Sequence, residues 1–294
     1  MYNGWLNIYK PRGESSAKIV GVVKRLLDGA KIGHTGTLDP EAEGVLPLAI
    51  GEATKLANIL INGRKNYRFK IQFGTQTSSG DIDGEIIATT SIFPTKEGCH
   101  EAVKGFIGEI LQTPPAFSAI KINGQRAYKL ARENKKVDMP TRKITIFNLK
   151  CTDYNPDRNT ATYEVECSKG TYVRSLAQDI AFSLQSLGFV IELARTKVSH
   201  FGEEESVRIS DLLLLDRQNA SEALVQNISR IDSVLDDIPV LDIDDEVARK
   251  VRCGMSVCFD ANDTEIIWLR SNGKLLAIGS ICQNRFNSGR VFNL

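Results

Sequence analysis

The clearest pattern in the chain is strict alternation of apolar and polar residues in two segments. In residues 67–73 the aromatic and aliphatic side chains occupy every odd position, and residues 160–168 alternate in the same way. Since successive side chains of a strand point to opposite faces of the sheet, both segments are predicted to be half-buried strands. The shorter apolar runs at 5–9 and 189–195 predict two further strands.

Two longer segments show the spacing of amphipathic helices. Apolar residues fall on one face from residue 16 to 27, where Ser15 or Ser16 is a typical N-cap and Asp28 with Gly29 ends the pattern. A second apolar face runs from Val173 to 187 and is closed by a glycine. Shorter helical pieces are predicted in four places: 55–60, 98–111, 127–134 and 209–215.

The pattern changes from about residue 238 to short strands and tight turns. Asn272 and Gly273 stand between two apolar runs, which is typical of a two-residue type I′ hairpin. We therefore expect two domains, residues 1–237 and a small β-rich domain of residues 238–294.

The segment 33–48 fits neither period, because it holds three glycines, two prolines and three carboxylates in sixteen residues. Glycine loosens the backbone and each proline removes a donor, so this segment is predicted to be an irregular loop and not a regular central strand. Asp39 precedes Pro40 at its centre. The residues alone allow two interpretations of Asp39, a helix N-cap or a functional carboxylate, and they favour the cap.

Composition is that of an ordinary globular protein, with 42% hydrophobic and 25% charged residues. No apolar run reaches the length of a membrane span, and the first residues lack a signal-peptide pattern, so a cytoplasmic protein without membrane contact is expected. The six cysteines form no Cys-x-x-Cys pair, and none of the three histidines stands near a pair of cysteines. A metal site is therefore not expected.

Charge is distributed unevenly along the chain. Residues 1–150 hold 22 basic and 14 acidic residues, whereas residues 201–250 hold 5 basic and 13 acidic ones. The basic excess is densest in residues 121–150, with nine basic and two acidic residues. This segment predicts contact with a polyanion, although a solvated basic loop is the alternative. Its basic side chains recur at helical spacing and include Arg126, Lys129, Arg132, Lys135 and Lys136.

Four motifs occur in series along the chain: Lys10-Pro11-x-Gly13-x-Ser15-Ser16, Gly33-His34-Thr35-Gly36-Thr37-Leu38-Asp39-Pro40-x-Ala42-x-Gly44-Val45-Leu46, Tyr67-Arg68, and Gly170-Thr171-Tyr172-Val173-Arg174-Ser175-Leu176. Together they resemble the TruB family, whose members are bacterial tRNA pseudouridine synthases acting on uridine 55 of the T-loop. The resemblance implies an α+β fold, in which a mixed or antiparallel pseudouridine synthase-like sheet with flanking helices is followed by a small PUA-like RNA-binding domain.

The same resemblance implies a catalytic role for Asp39, Tyr67 and Arg174. Asp39 is expected to be the nucleophile, Arg174 its ion-pair partner, and Tyr67 the residue that stacks on the uracil and takes part in proton transfer. An independent observation supports Arg174, because a cation in the first turn of a helix opposes the helix dipole and so requires a specific anionic partner.

The resemblance also implies a set of substrate-binding residues. Tyr172 and Leu193 are expected to line the pocket, and His34 to fill the stack vacated by a flipped base. Phosphate contacts are expected from Lys10, Lys55 and the basic segment of residues 121–150, including Arg132, which is expected to act as a clamp.

An isomerisation requires no metal or redox cofactor, so none is expected. The expected partner is the T-arm and elbow of tRNA, bound by a monomer that needs no partner protein. Three alternatives remain. A non-catalytic tRNA-folding factor would need the basic face but not Asp39. A guide-RNA-dependent archaeal or eukaryal relative would need partner proteins, and an RNA glycoside hydrolase would need Glu41 or Glu43 as a general acid.

Overall fold

The chain is described by a computed structural model over residues 2–118, 120–122, 124–133 and 138–294, without the side chain of Arg132. The strands are β1 Gly4–Lys10, β2 Ile32–His34, β3 Glu43–Ile50, β4 Lys65–Phe73, β5 Thr75–Thr77, β6 Ile86–Thr89, β7 Gly108–Gln112, β8 Lys121–Ile122, β9 Gln125–Arg126, β10 Arg142–Asn155, β11 Thr160–Cys167, β12 Gly188–Val198, β13 Phe201–Gly202, β14 Val207–Arg208, β15 Val240–Asp242, β16 Val257–Cys258, β17 Thr264–Ser271, β18 Lys274–Cys282 and β19 Arg285–Val291. The α-helices are α1 Ser16–Leu26, α2 Ala57–Asn62, α3 Lys96–Ala102, α4 Ala127–Arg132, α5 Val173–Ser183, α6 Ile209–Leu212, α7 Arg217–Gln226 and α8 Asp245–Arg252. Short 3₁₀ helices occupy Gly51–Leu56, Val103–Phe106 and Ile231–Val234.

The main sheet has ten strands, in the order β14–β1–β3–β12–β4–β11–β10–β7, with β2 beside β3 and β13 beside β12. Most neighbours are antiparallel, and two pairs, β1 with β14 and β3 with β12, are parallel. The predicted mixed sheet of an α+β fold is therefore confirmed. Among the described helices, none is long and apolar enough to cross a membrane.

The predicted alternation of residues 67–73 is observed in β4, which lies between β12 and β11. Phe69, Ile71 and Phe73 are buried in a cluster with the apolar face of α5, which includes Leu176 and Ile180. Burying an aliphatic or aromatic side chain contributes about 1.5–3 kcal/mol relative to leaving it in water. This packing fixes the N-terminus of α5 relative to the sheet.

Helix α1 begins and ends where its sequence predicts. The Ser15 hydroxyl accepts from the Lys18 N–H at 3.1 Å, and the helix is followed by Asp28 and Gly29 with φ of 50° and 81°. The apolar face of α1 packs on β1 in a second cluster that also contains Leu38 and Ala42. Both ends of the glycine-rich loop around Asp39 are thus anchored in a core.

Two predictions about elements were wrong. Residues 43–48 belong to the regular strand β3. Pro47 is tolerated there because it lies between Gly44, which pairs with β12, and Leu48, which pairs with β2. The missing N–H of Pro47 therefore costs no ladder bond to β12 or to β2. The helix predicted over 98–111 already ends at Ala102, since the chain turns at Gly108 with φ +107° and enters β7.

A second sheet holds five strands in the order β15–β17–β18–β19–β16. The predicted type I′ turn joins β17 to β18, with φ of 51° at Asn272 and 72° at Gly273. Trp268 and Phe292 pack in one cluster with Trp5 of the main sheet, so the two sheets share part of a core. The domain boundary at residue 238 stays a prediction.

Gly44 lies opposite Arg195 in the parallel pairing of β3 with β12, and it has φ +110°. A Cβ at this position would lie 2.2 Å from the Arg195 carbonyl oxygen. We expect Gly44→Ala to lower the free energy of unfolding by at least about 2 kcal/mol, measured by urea denaturation. Gly21 in α1 is the control, because a Cβ there meets nothing within 4 Å. Gly21→Ala should raise stability by up to about 1 kcal/mol, and equal effects of the two substitutions would contradict this account.

Candidate active site

A cavity of about 500 Å³ opens between the loop at residues 35–42, the strands β4 and β12, and the N-terminus of α5. A larger cavity of about 710 Å³ lies between α1 and the region of α6 and α7. The walls of the larger cavity are mainly aliphatic, and Arg217 in its wall is paired with Asp28. Buried charge is concentrated in the smaller cavity, and we therefore take that one as the candidate site.

Arg174 is the centre of this site. Its side chain is 6% exposed, and its guanidinium contacts two carboxylates, Asp39 at 2.8 Å and Asp81 at 3.1 Å. The same guanidinium donates to the carbonyl oxygens of Ser79 at 2.9 Å and Phe117 at 3.0 Å. The specific anionic partner predicted for this cation is thus Asp39, with Asp81 as a second one.

The Asp39 carboxylate lies at the cavity surface, with its side chain 46% exposed. The turn after it is closed by the Ala42 N–H and the Asp39 carbonyl at 3.1 Å, and no helix begins at Pro40. The cap interpretation is therefore wrong. Ser16 holds the loop from α1, since its hydroxyl bonds both the N–H and the carbonyl of Leu38.

The sequence analysis missed Asp81, which it assigned to a polar turn. The Asp81 carboxylate accepts hydrogen bonds from the Ser79 hydroxyl and from the Asp83 N–H. These bonds fix one carboxylate oxygen while the other faces Arg174. Nothing in the local spacing identifies this partner, because the contact depends on how β5 and α5 meet.

Arg195 is a second buried cation that the sequence analysis missed, and it is only 2% exposed. Its guanidinium donates to the carbonyl oxygens of Val45 at 2.8 Å and Gly36 at 3.1 Å, and it hydrogen-bonds the Tyr67 phenol. Burial raises the pKa of Tyr67 above its usual value, and the nearby Arg195 opposes this shift only in part. Tyr67 in the cavity wall is thus a neutral phenol at pH 7.

Tyr172 and Leu193 both line the cavity. Tyr172 is held by its backbone, because its N–H donates to the Gln112 side chain at 2.8 Å and its carbonyl accepts from the same amide at 3.1 Å. Gln112 is 1% exposed, so this pair of bonds is shielded from water.

His34 lies in β2, and the cavity wall begins at the next residue, Thr35. Burial and then the charge of Arg195 lower the pKa of His34 below 6.5, so the imidazole is neutral at pH 7. A neutral ring beside the cavity is compatible with stacking. The stacking role itself stays a prediction.

The predicted phosphate contact at Lys10 is wrong. Lys10 has no exposed surface, and its ammonium donates to the carbonyl oxygens of Pro11, Glu14 and Pro40 at 2.9, 2.6 and 3.1 Å. Burial lowers the pKa of Lys10 to about 8. The side chain holds the chain next to Asp39 in place and is not available to RNA.

Lys55 has structural contacts, but its side chain is 27% exposed, and the predicted phosphate contact stays a prediction. Its ammonium pairs with Glu52 at 2.6 Å and donates to the Val291 carbonyl at 2.8 Å. These contacts tie the C-terminal sheet to the main one. The predictions for the side chain of Arg132, and for Lys135 and Lys136, lie outside the described residues.

The geometry provides an ionic carboxylate–arginine pair, a neutral phenol and two apolar walls around one cavity. Glu41 pairs with Arg12 at 2.8 Å, and Glu43 is hydrogen-bonded to Tyr9. Neither glutamate lines the cavity, in which Asp39 is the only carboxylate among the described wall residues. The arrangement fits nucleophilic attack by one carboxylate, and neither glutamate lies in this cavity as the general acid of a hydrolase with two carboxylates.

Comparisons with known proteins place the chain in a family. The family described as "TruB family pseudouridylate synthase (N terminal domain)" matches residues 24–173. The tRNA pseudouridine synthase B of Rickettsia bellii (strain OSU 85-389) is 55% identical, and the match covers 100% of this chain and 99% of the relative. The corresponding protein of Rickettsia akari (strain Hartford) is 51% identical, with both chains covered completely.

Two solved structures share the fold over nearly the whole chain. The archaeal box H/ACA sRNP Nop10-Cbf5 complex matches with a TM-score of 0.72, 20% identity, and coverage of 99% of this chain and 86% of that one. A Cbf5-Nop10-Gar1 complex matches with a TM-score of 0.71, 22% identity, and coverage of 99% and 83%. At these identities the likeness concerns the fold alone.

Arg195→Gln should destabilise the protein, because it leaves the carbonyl groups of Gly36 and Val45 buried without a donor. We expect the free energy of unfolding to fall by about 2–4 kcal/mol in urea denaturation. Arg68→Gln is the control on the neighbouring strand β4, since Arg68 is 46% exposed and lies 4.0 Å from Glu203. This control should change stability by less than about 0.5 kcal/mol. A similarly small effect of Arg195→Gln would refute its structural role.

Proposed function

The chain belongs to the TruB family of pseudouridylate synthases, and we propose that it is a tRNA pseudouridine synthase that isomerises uridine 55 of the T-loop with Asp39 as the nucleophile. Its activity on tRNA is supported by relatives named tRNA pseudouridine synthase B that match over the full length of the chain. The single observation that carries the choice of Asp39 is its contact with the buried Arg174 at 2.8 Å in a cavity without another described carboxylate.

The reaction exchanges one glycosidic bond for another. The flipped uridine enters the cavity, and Asp39 attacks either the ribose C1′ or the uracil ring, which splits one difficult step into two. The bond between N1 and C1′ breaks, the uracil rotates, and a bond from C5 to C1′ forms. The bond to Asp39 also breaks, which regenerates the carboxylate. C5 then loses its proton to a base and N1 gains one, so that the product has the same composition as the substrate.

Arg174 orients Asp39 for this attack. Its contact with Asp81 and with two carbonyl groups fixes the guanidinium, so that the Asp39 carboxylate is held on one side while its exposed part faces the substrate. A guanidinium suits this position because its planar fork can serve several acceptors at once.

The remaining cavity residues hold the flipped base. The neutral Tyr67 ring stacks on the uracil and takes part in proton transfer, while Tyr172 and Leu193 form the other walls. His34 fills the gap that the base leaves in the T-loop. Flipping costs roughly a few kcal/mol, which stacking and backbone contacts must offset.

The tRNA contacts extend beyond the cavity. We assign the T-arm and elbow to the basic segment of residues 121–150, in which Lys121, Arg126 and Lys129 are exposed, and to a PUA-like domain of residues 238–294. A cytoplasmic monomer that acts without a partner protein is part of this proposal.

The alternatives have less support. A non-catalytic tRNA-folding factor has no need for an arginine buried against Asp39. The guide-RNA alternative is disfavoured because the chain is 20–22% identical to the Cbf5 structures but 51–55% identical to proteins named tRNA pseudouridine synthase B.

The test uses unmodified tRNA with tritium at C5 of uracil. The wild-type protein should release tritium from the T-loop uridine, whereas Asp39→Asn should release it at least about 1,000-fold more slowly and bind tRNA within about threefold of wild type. The control is Glu41→Gln, which removes a neighbouring carboxylate that does not line the cavity and should react normally.

Two outcomes of this assay would contradict the proposal. Persistent release by Asp39→Asn would exclude this residue as the nucleophile. Absence of release by the wild-type protein, together with tight tRNA binding, would favour the folding factor.

A further inference from the structure

Arg142 has no partner for most of its donor groups. It begins β10, and its guanidinium lies 4.7 Å from the centroid of the Tyr172 ring in the wall of the catalytic cavity. Nε and Nη2 of Arg142 are shielded from solvent, yet neither has a hydrogen-bond partner. Since a guanidinium stays protonated in proteins, leaving these donors unpaired is unfavourable. An acceptor from outside the chain would remove this cost.

The lysines in the same wall have partners within the protein. Lys65 donates to the carbonyl oxygens of Leu60, Ile61 and Gly63. Lys143 pairs with Glu109 at 2.8 Å, and Lys169 donates to the Asn62 side chain at 2.8 Å.

The other two arginines in the wall, Arg174 and Arg195, are also satisfied by the contacts described above. Among the wall cations that the structure describes, Arg142 is therefore the one with buried donors unused. This difference sets it apart from the cations that hold the fold together.

The charges around Arg142 indicate which kind of acceptor would bind its guanidinium. The only carboxylate among the described wall residues is Asp39, and it is paired with Arg174, so the part of the wall near Arg142 has no anion lining it. Gly170 borders the guanidinium, since a Cβ built on Gly170 would lie at an ordinary contact distance of 3.5 Å from Arg142 Nη1.

We propose that Arg142 binds a backbone phosphate that flanks the target uridine. The inference rests on the proposed function, because only a flipped nucleotide brings a phosphate to this wall. A phosphate offers two oxygens to the guanidinium fork, which matches the two unpaired nitrogens once the atoms that shield them move aside on RNA binding. It would also place negative charge away from Asp39 while the sugar and base lie against the carboxylate. The stacked Tyr172 ring keeps the fork in position.

The test uses synthetic T-arm stem-loops in which one phosphate, on the 5′ or the 3′ side of the target uridine, is replaced by a neutral methylphosphonate. At one of these two positions, the replacement should weaken binding to the wild-type protein about tenfold or more. Arg142→Gln should show the same loss on the unmodified RNA and no further loss on the methylphosphonate RNA at that position. It should also reduce the salt dependence of log Kd by about 0.7 per log unit of salt.

The control variant is Arg158→Gln. Arg158 is an exposed arginine in the turn at the other end of β10, roughly 40 Å from Arg142 at the rise of a strand. Its substitution should leave affinity and the methylphosphonate effect as in wild type.

The proposal would be overturned if Arg142→Gln and the methylphosphonate reduced RNA affinity independently of each other. If the effects of Arg142→Gln and of the methylphosphonate multiply at both positions, Arg142 contacts neither phosphate and acts only on Tyr172. Tritium release by the wild-type protein on the unmodified stem-loop is measured in parallel. Failure of that release would count against the proposed function, whereas the coupling between Arg142 and the phosphate is read from binding alone.

Discussion

The site depends on one buried cation, the guanidinium of Arg174. It binds Asp39, Asp81 and two carbonyl groups, and so joins four segments that are distant in the sequence: the loop around Asp39, the turn after β5, the segment before β8, and α5. Arg174 is 6% exposed, so loss of its anionic partners would leave a buried charge uncompensated, which is destabilising. The same contacts that hold α5 against the loop therefore define the position of the proposed nucleophile.

Two further buried cations hold the loop around Asp39 by its main chain. Lys10 donates to the Pro40 carbonyl directly after Asp39, and Arg195 donates to the carbonyl group of Gly36 before Asp39 and to that of Val45 after it. An irregular loop lacks the ladder bonds of a strand, so its carbonyl groups need other donors. Cationic side chains supply them here. Arg195 also bonds Tyr67, which links the loop to the cavity wall.

Much of the architecture could be predicted from local patterns. The alternation in β4 and β11, the Ser15 cap of α1 and the Asn272 turn each depend on neighbouring residues only, and each was found where the sequence predicts it. The helix-dipole argument and the family motifs together paired Arg174 with Asp39.

Contacts between distant segments could not be predicted in this way. Lys10 was misassigned because burial of a lysine depends on which carbonyl groups surround it after folding. Asp81 and Arg195 were missed for the same reason. Strand β3 was missed because the strand paired with it changes from β12 to β2 around Pro47.

The central claim, that Arg174 orients Asp39 for catalysis, is tested most directly by Arg174→Lys in single-turnover tritium release, with tRNA affinity measured on the same preparation. An ammonium cannot serve four acceptors, so turnover should fall at least about 100-fold while Kd stays within about threefold. Near-normal turnover in this variant would contradict the account.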